Sequence, residues 1–296
     1  RLLKPRVMSL VVFTAIAGMA AAPATVHPVI AVAALLCIAV GAGAAGALNM
    51  WYDADIDAEM DRTRRRPVPQ GQVSPETARD FGLGLAVLSV AMLAVVANLL
   101  AAAMLAFTIF FYAVVYTMWL KRATPQNIVI GGAAGAFPPV VAWAAVTGDM
   151  PLAAWAMFAV IFLWTPPHFW ALALWRARDY RDVSVPMLPV VAGDAATRRQ
   201  ILAYTVILAP VAIGAAFTEA GGPIYFVVAT LASLRFLVDA LAIVRRDEAT
   251  AMADKWRAEK RLFGFSIYYL FALFLAFILD AVLVVLAGPV GWPVLF

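Results

Sequence analysis

The chain is 296 residues long, 65% hydrophobic and 14% charged, with a mean hydropathy of +0.89 and a formal net charge of +4. A soluble domain carries about a quarter charged residues, so this composition argues against a soluble helical bundle, whose surface needs a polar face that repeated apolar runs do not provide. The single cysteine, Cys37, rules out an internal disulfide.

Apolar runs near twenty residues long recur, each long enough to cross about 30 Å of hydrocarbon as a helix. The pattern predicts an all-α polytopic membrane protein organised as one domain over 1–296, with nine spans near 7–22, 29–49, 81–97, 99–119, 127–146, 152–174, 200–217, 223–244 and 264–287. Proline and glycine punctuate several span ends, as in AAPATVHP, TGDMP and EAGGP. No cleavable signal peptide stands out, and a start at Arg1 rather than Met suggests missing N-terminal residues.

The connections alternate in character. Residues 23–28, 97–99, 147–151 and 218–222 carry no Lys or Arg, whereas the N-terminal segment has three (Arg1, Lys4, Arg6) and the loops 50–80, 120–126, 175–199 and 245–263 have 5, 2, 5 and 6. That accounts for 21 of 22 basic residues, Arg235 lying inside the eighth span. The positive-inside rule then places the N-terminus and all four basic loops in the cytoplasm and Phe296 on the far side. The net charge thus reports topology, and no nucleic-acid partner is expected.

The second span ends in NMWYDADIDAEMDRTRRRPVP, residues 49–69, which packs five carboxylates and four arginines into one stretch. Asn49, Asp53 and Asp57 recur at i, i+4 and i+8, so a helix continuing past the bilayer projects all three on one side. Like charges at that spacing repel, and a divalent cation relieves the repulsion. Mg²⁺ takes hard oxygen ligands and typically bridges a few carboxylates and a substrate's phosphates. Arg62, Arg64, Arg65 and Arg66 follow at once, and guanidinium groups grip phosphate oxygens bidentately. The plainer readings are a solvated charged loop and arginines that only enforce topology.

A second polar cluster, WRARDYRDVSVPMLP at 175–189, places Asp179 and Asp182 at i, i+3 among Arg176, Arg178 and Arg181, with Pro186 and Pro189 ending any helix there. Lys121 and Arg122 cap the fourth span on the same side. His168, in TPPHFW, lies about two turns inside the sixth span, where a polar residue is a functional candidate. Its alternatives are a site role and a bond to a carbonyl freed by Pro166 and Pro167. Arg235 and Asp239 are spaced to pair, Asp280 has no evident role, and the Gly/Ala-rich stretches GAGAAGA and GGAAGA predict close helix packing. His27, in a far-side loop, is remote from the acidic stretch.

The acidic stretch resembles the NxxxDxxxD motif of the UbiA-type intramembrane prenyltransferases. KPRVMSLVVFTA, RTRRRP, NIVIGGAAGAFPPVVAW, WTPPHFWALAL, DYRDVSVPMLPVV and RLFGFSIYYL resemble the haem-farnesylating branch of that family, over nearly the whole chain from Lys4 to about Leu270. One departure stands out: the second motif of the family is commonly DxxxD, and here Asp179 and Asp182 are one residue closer.

The resemblance implies a UbiA-type helical bundle in the cytoplasmic (inner) membrane. The activity implied is transfer of a farnesyl group from farnesyl diphosphate to a vinyl group of haem B, giving haem O and diphosphate. The implied site has Mg²⁺ at Asn49, Asp53, Asp57 and Asp179, with Asp182 a further candidate ligand. Arg62, Arg66, Lys121, Arg122 and Arg178 would face the diphosphate, with Asp53, Asp57 and Asp179 as the catalytic carboxylates. His168 would ligate haem iron or hydrogen-bond a propionate. The partners implied are farnesyl diphosphate, haem B, membrane lipid and a downstream haem A synthase or oxidase assembly. A family member with a quinone-precursor or chlorophyllide acceptor would keep the same metal site. A secondary transporter would instead gather its polar groups at the midplane, which here is nearly bare.

Overall fold

The computed structural model describes residues 2–61, 63–289 and 291–295, without the side chains of Arg6 and Val7. Arg62, expected at the diphosphate, lies outside them, as does Arg1. Every regular element among the described residues is helical. The helices in chain order are α1 (Pro5–Ala21), α2 (Pro28–Tyr52), α3 (Ala54–Glu59), α4 (Pro75–Val96), α5 (Leu99–Phe110, continued as a π-helix over Phe111–Leu120), α6 (Asn127–Ala136), α7 (Pro138–Thr147), α8 (Leu152–Trp175), α9 (Ala177–Asp182), α10 (Leu188–Val191), α11 (Gly193–Gly214), α12 (Pro223–Val244), α13 (Glu248–Ala253) and α14 (Arg257–Ala287).

Among the described residues, eight segments are long and apolar enough to cross a membrane: α2, α4, α5 with its π continuation, α6 with α7, α8, α11 with the 3-10 turn that follows it, α12 and α14. The ninth expected span corresponds to α1, whose apolar stretch Met8–Ala21 is shorter than these eight. The chain is a multi-pass integral membrane protein. Its outer helix faces carry exposed residues such as Val87 (70%), Val95 (82%) and Val285 (83%), as a hydrocarbon solvent allows and water does not.

Proline opens α1, α2, α4, α7 and α12, where its missing N–H costs nothing and its fixed φ suits the first turn. Ser74 caps α4 by accepting from the Thr77 N–H at 3.1 Å, and Asn98 caps α5 by accepting from the Ala101 N–H at 2.9 Å. His27 serves the same purpose for α2, its Nδ1 accepting from the Val29 N–H at 3.3 Å.

The helices close a ring. α2 packs on α4, α5, α7 and α1; α8 packs on α6, α11 and α14; α12 bridges α11 and α14; and α14 returns to α1. Two apolar cores result, one among α1, α2, α4, α5 and α7 and one among α1, α7, α8, α11, α12 and α14. Close approach depends on glycine in the GGAAGA stretch, as expected, and also in α1, which the sequence reading did not single out. A Cβ on Gly131 would lie 2.1 Å from the Tyr116 ring, and one on Gly18 in α1 would lie 2.3 Å from the Pro139 carbonyl.

Two helices run further than the apolar pattern alone indicated. α11 begins at Gly193 and α14 at Arg257, because polar residues of the rim are buried in pairs. Arg198 (1% exposed) donates to Glu259 Oε1 (residue 0% exposed) at 3.3 Å and to the Arg246 carbonyl at 3.1 Å. Asp239 meets Arg235 at 3.0 Å, as its spacing suggested, and also Arg261 of α14 at 3.0 Å. Asp280 acquires a role: it accepts from the Ile224 N–H at 3.1 Å and the Tyr225 N–H at 2.7 Å, capping α12 from a neighbouring span.

Candidate active site

The site forms where α2 leaves the apolar region. α2 ends at Tyr52, yet the backbone ladder barely breaks: Asp53 N–H donates to the Asn49 carbonyl at 3.0 Å, and Asp57 N–H to the Asp53 carbonyl at 2.8 Å. The i, i+4, i+8 register therefore survives into α3, and Asn49, Asp53 and Asp57 are all buried, at 4%, 0% and 1% exposure.

Buried carboxylates require cationic partners, and two other segments supply them. Lys121 Nζ pairs with Asp53 Oδ2, and Arg66 Nη1 pairs with Asp57 Oδ2. Lys4, on the residue before α1, donates from Nζ to Asn49 Oδ1 at 2.6 Å. The amide nitrogen of Asn49 donates to Asp53 Oδ2 at 2.7 Å and to Thr117 Oγ1 at 3.2 Å, locking the amide orientation.

The π-helix makes these contacts reachable. Thr117 Oγ1 donates to the Tyr112 carbonyl at 2.8 Å and the Lys121 N–H to the Tyr116 carbonyl at 2.9 Å, both five residues back. The wider turn rotates Thr117 and Lys121 toward α2. Arg122 turns outward and makes a bidentate pair with Asp55 at 2.7 Å, its Nη2 standing 3.7 Å from Asp53 Oδ1. Arg66 is held near by the turn after α3, in which Thr63 Oγ1 donates to the Asp57 carbonyl at 3.0 Å.

Burial pushes the Lys4 ammonium down to about 7, with Arg66 lowering it further and Asp57 opposing. Burial also lowers Lys121, against the pull of Asp53. The hydrogen bond from Arg122 holds the Asp55 carboxyl below its usual range.

The second acidic segment lies beside the first. Ile56 and Met60 of the α3 segment share an apolar cluster with Tyr180, Val185 and Met187. Asp179 is largely shielded, its side chain 18% exposed and 3.5 Å from Arg176. Asp182 and Arg178 point outward, with side chains 65% and 92% exposed and a separation of 3.9 Å. The structure thus brings Asn49, Asp53, Asp57, Arg66 and Lys121 into one network and keeps Arg122 at its edge; Asp179 pairs with Arg176 in the neighbouring segment, and Asp182 and Arg178 lie outside the network.

No group of three or more His, Cys, Asp or Glu suited to a metal is found among the described residues. The donor set nonetheless fits a hard cation: two buried carboxylates and an amide oxygen share one face, and Asp53 Oδ1 is buried without a hydrogen-bond partner. Lys4 and Thr117 are the residues that sequence reasoning missed as site members. Their separations from Asn49, 45 and 68 residues, leave no local signal, although Lys4 did stand out in the basic N-terminal segment.

An apolar cavity of about 120 Å³ runs from this network into the bundle between α1, α2, α5, α6 and α7. Lys4 lines its polar end, and Ile38, Leu105, Ile109, Gly135 and Val141 are among its walls. His168 lies elsewhere, in the seam of α8 and α14. Its ring is stacked between Trp164 (4.3 Å) and Phe263 (4.6 Å), and its Nδ1 is 2.6 Å from Ser266 Oγ. Ser266 Oγ gives its one proton to the Phe263 carbonyl at 2.7 Å. It must therefore accept from His168 Nδ1–H, an assignment that rests on the hydrogen-bond network and leaves the lone pair on Nε2.

A multi-span helical bundle, with buried carboxylates and lysine at one rim and an apolar cavity leading inward, defines an intramembrane prenyltransferase fold. Residues 11–267 match the UbiA prenyltransferase family, and the chain belongs to it. It is similar to the protoheme IX farnesyltransferases of Roseobacter denitrificans (60% identical over 282 residues, 95% of this chain and 90% of the relative) and Dinoroseobacter shibae (61% identical over 282 residues, 95% and 90%). Among solved structures it resembles one of digeranylgeranylglyceryl phosphate synthase (TM-score 0.74, 14% identical, 94% of this chain and 95% of that one). It also resembles a UbiA homologue from Archaeoglobus fulgidus bound to GPP and Mg²⁺ (TM-score 0.66, 16% identical, 91% and 98%). At those identities the structural likeness speaks for the fold alone.

Proposed function

We propose that the chain transfers a farnesyl group from farnesyl diphosphate to a vinyl group of protohaem IX, releasing diphosphate and giving haem O. The reading of the donor rests on one observation: Lys4 belongs both to the polar network and to the mouth of the apolar cavity. A diphosphate held at the network would lay its prenyl tail into the cavity. The reading of the acceptor rests on the relatives that share about 60% of the sequence.

Mg²⁺ would be held by Asn49, Asp53 and Asp57, with Asp179 facing it from the neighbouring segment, and when bound it neutralises charge on the departing diphosphate. Lys121, Arg66 and Lys4 now face the carboxylates and the amide. On binding they turn to phosphate oxygens, with Arg122 joining from the edge. Cations fixed around the leaving group stabilise the charge that develops as the C1–O bond breaks. The walls of the cavity keep water from the allylic cation. The vinyl group attacks that cation, and water adds to the new one and gives up a proton to solvent, leaving the hydroxyethylfarnesyl side chain. His168, with its lone pair on Nε2, would meet the haem. The downstream partner expected is a haem A synthase or an oxidase assembly.

The basic rim would face the cytoplasm of a cell with this protein in its inner membrane, as the distribution of Lys and Arg favours. Cys37 is buried, so single cysteines near Thr77 and Gly148 can report sidedness. The second should label with an impermeant reagent in intact cells and the first should not. The activity is tested by expression in a host lacking haem O, followed by extraction and mass measurement of its haems. A haem increased in mass by one farnesyl and one hydroxyl group is expected. A prenylated quinone precursor or chlorophyllide with unchanged haem would overturn the acceptor.

A further inference from the structure

At the end of α12 and the start of α14, away from the carboxylate network, lies an open recess of about 630 Å³ whose lining includes Arg246, Asp254, Arg257, Lys260 and Arg261. Four of its seven lining residues are cations. Two of them are matched: Arg246 pairs with Asp254 at 2.7 Å and approaches Glu259 at 3.5 Å, and Arg261 pairs with Asp239 at 3.0 Å. The other two have no carboxylate partner among the described residues. Lys260 Nζ donates only to the Lys255 carbonyl at 2.9 Å, and the Arg257 guanidinium is exposed.

The recess is held in shape from below. Glu259 is 0% exposed and anchors both Arg198 and Arg246. Lys255 and Trp256 take consecutive left-handed backbones (φ 58° and 60°) in the turn between α13 and α14, a conformation that persists only where its surroundings fix it. The Arg198 guanidinium lies 5.6 Å over the Trp256 ring.

Its position selects the ligand. α12 runs inward from the recess and presents Leu241, Val238 and Leu234, 47%, 59% and 56% exposed, to the surrounding hydrocarbon. On α14, Tyr268 is 73% exposed two turns below Arg261, the place where an amphipathic ring marks a membrane interface. A cationic recess above an apolar strip, both at one membrane edge, complements a molecule with an anionic head and apolar chains.

We propose that this recess binds the headgroup of an anionic membrane phospholipid, with its phosphate on Arg257 and Lys260 and its chains along Leu234, Val238 and Leu241. It is distinct from the farnesyl diphosphate site and does not rest on the reading of that site.

The test uses the purified full-length chain in phosphatidylcholine nanodiscs with and without phosphatidylglycerol, with lipid retention on gentle release measured by native mass spectrometry. Wild type should retain phosphatidylglycerol over phosphatidylcholine. R257Q/K260Q should lose the preference by about thirty-fold, and the charge-preserving R257K/K260R should keep it. Should the neutral pair fold poorly, K260Q alone should lose part of the preference and settle the question. Retention of phosphatidylglycerol by a folded R257Q/K260Q, or its loss in R257K/K260R, would overturn the site. Competition by inorganic phosphate as effective as that by phosphatidylglycerol would show a soluble-anion site and overturn the lipid assignment.

Discussion

Lys4 Nζ lies 2.6 Å from Asn49 Oδ1 and ties the entry of α1 to the end of α2, the helix that carries the carboxylates. The lysine stem crosses Gly46, whose Cβ would stand 3.6 Å from Lys4 Cδ. A larger residue at Gly46 would meet that stem. The contact places an amine at a point shared by the polar network and the apolar cavity.

Lys4→Met should therefore weaken farnesyl diphosphate binding by roughly ten-fold or more, the scale of one charge-assisted hydrogen bond, and Lys4→Arg should recover part of it. Titration of the purified variants with a non-hydrolysable farnesyl diphosphate analogue measures this. Wild-type affinity in Lys4→Met would make the residue a structural tie only.

The carboxylates should rank by burial and partnership. Asp53→Asn and Asp57→Asn keep the side-chain shape beside Lys121 and Arg66 but remove the charge; transfer should fall by two orders of magnitude or more in variants that still insert and fold, with a lowered melting temperature in detergent because a buried cation is left unpaired. Asp179→Asn should cost less, and Asp182→Asn, with its 65% exposed side chain, least. Chelation of divalent metal should abolish turnover of the wild type. Equal losses at Asp182 and Asp53 would show that the outward-facing carboxylate moves inward on substrate binding.

Much of this site was legible in the chain because its logic is local. The four-residue spacing of Asn49, Asp53 and Asp57 survives the helix break, and runs of Lys and Arg mark one rim whatever the helix order. Legibility ends where two distant segments must meet. Hydropathy gives spans but not neighbours, so Asp280 looked idle until α14 proved to cap α12. The π register that aims Thr117 and Lys121 has no hydropathy signature. Arg198 and Glu259 fell in segments read as loops, because the pattern of apolar residues cannot see a buried ion pair that extends a helix beyond the bilayer.

The cavity offers a test in which glycines of the same helix should behave oppositely. A Cβ on Gly135 meets nothing within 4 Å, and Gly135 lines the cavity. Gly135→Ala should leave fold and activity near wild type. Gly135→Phe should fill the space, lower farnesyl transfer at least ten-fold and leave inorganic diphosphate binding intact. Gly131→Ala, whose Cβ would press on the Tyr116 ring at 2.1 Å, should lower the melting temperature instead. Normal farnesyl turnover in Gly135→Phe would place the tail elsewhere.

The last expectation separates acceptor from donor. His168 is stacked between Trp164 and Phe263, and its Nδ1 proton is committed to Ser266, while the carboxylates and their cations sit on α2, α3 and the segments around them. A neutral imidazole with a fixed lone pair on Nε2 suits haem iron and offers a diphosphate nothing that Lys4, Arg66 and Lys121 do not supply better. His168→Ala should thus weaken haem binding, seen as a changed Soret spectrum and a raised dissociation constant, and lower haem O formation. Farnesyl diphosphate affinity should stay within a few-fold. Ser266→Ala releases the tautomer and should weaken haem binding less than loss of the ring does. Collapse of farnesyl diphosphate binding in His168→Ala, with haem binding intact, would move the residue to the donor side and the acceptor away from the seam between α8 and α14.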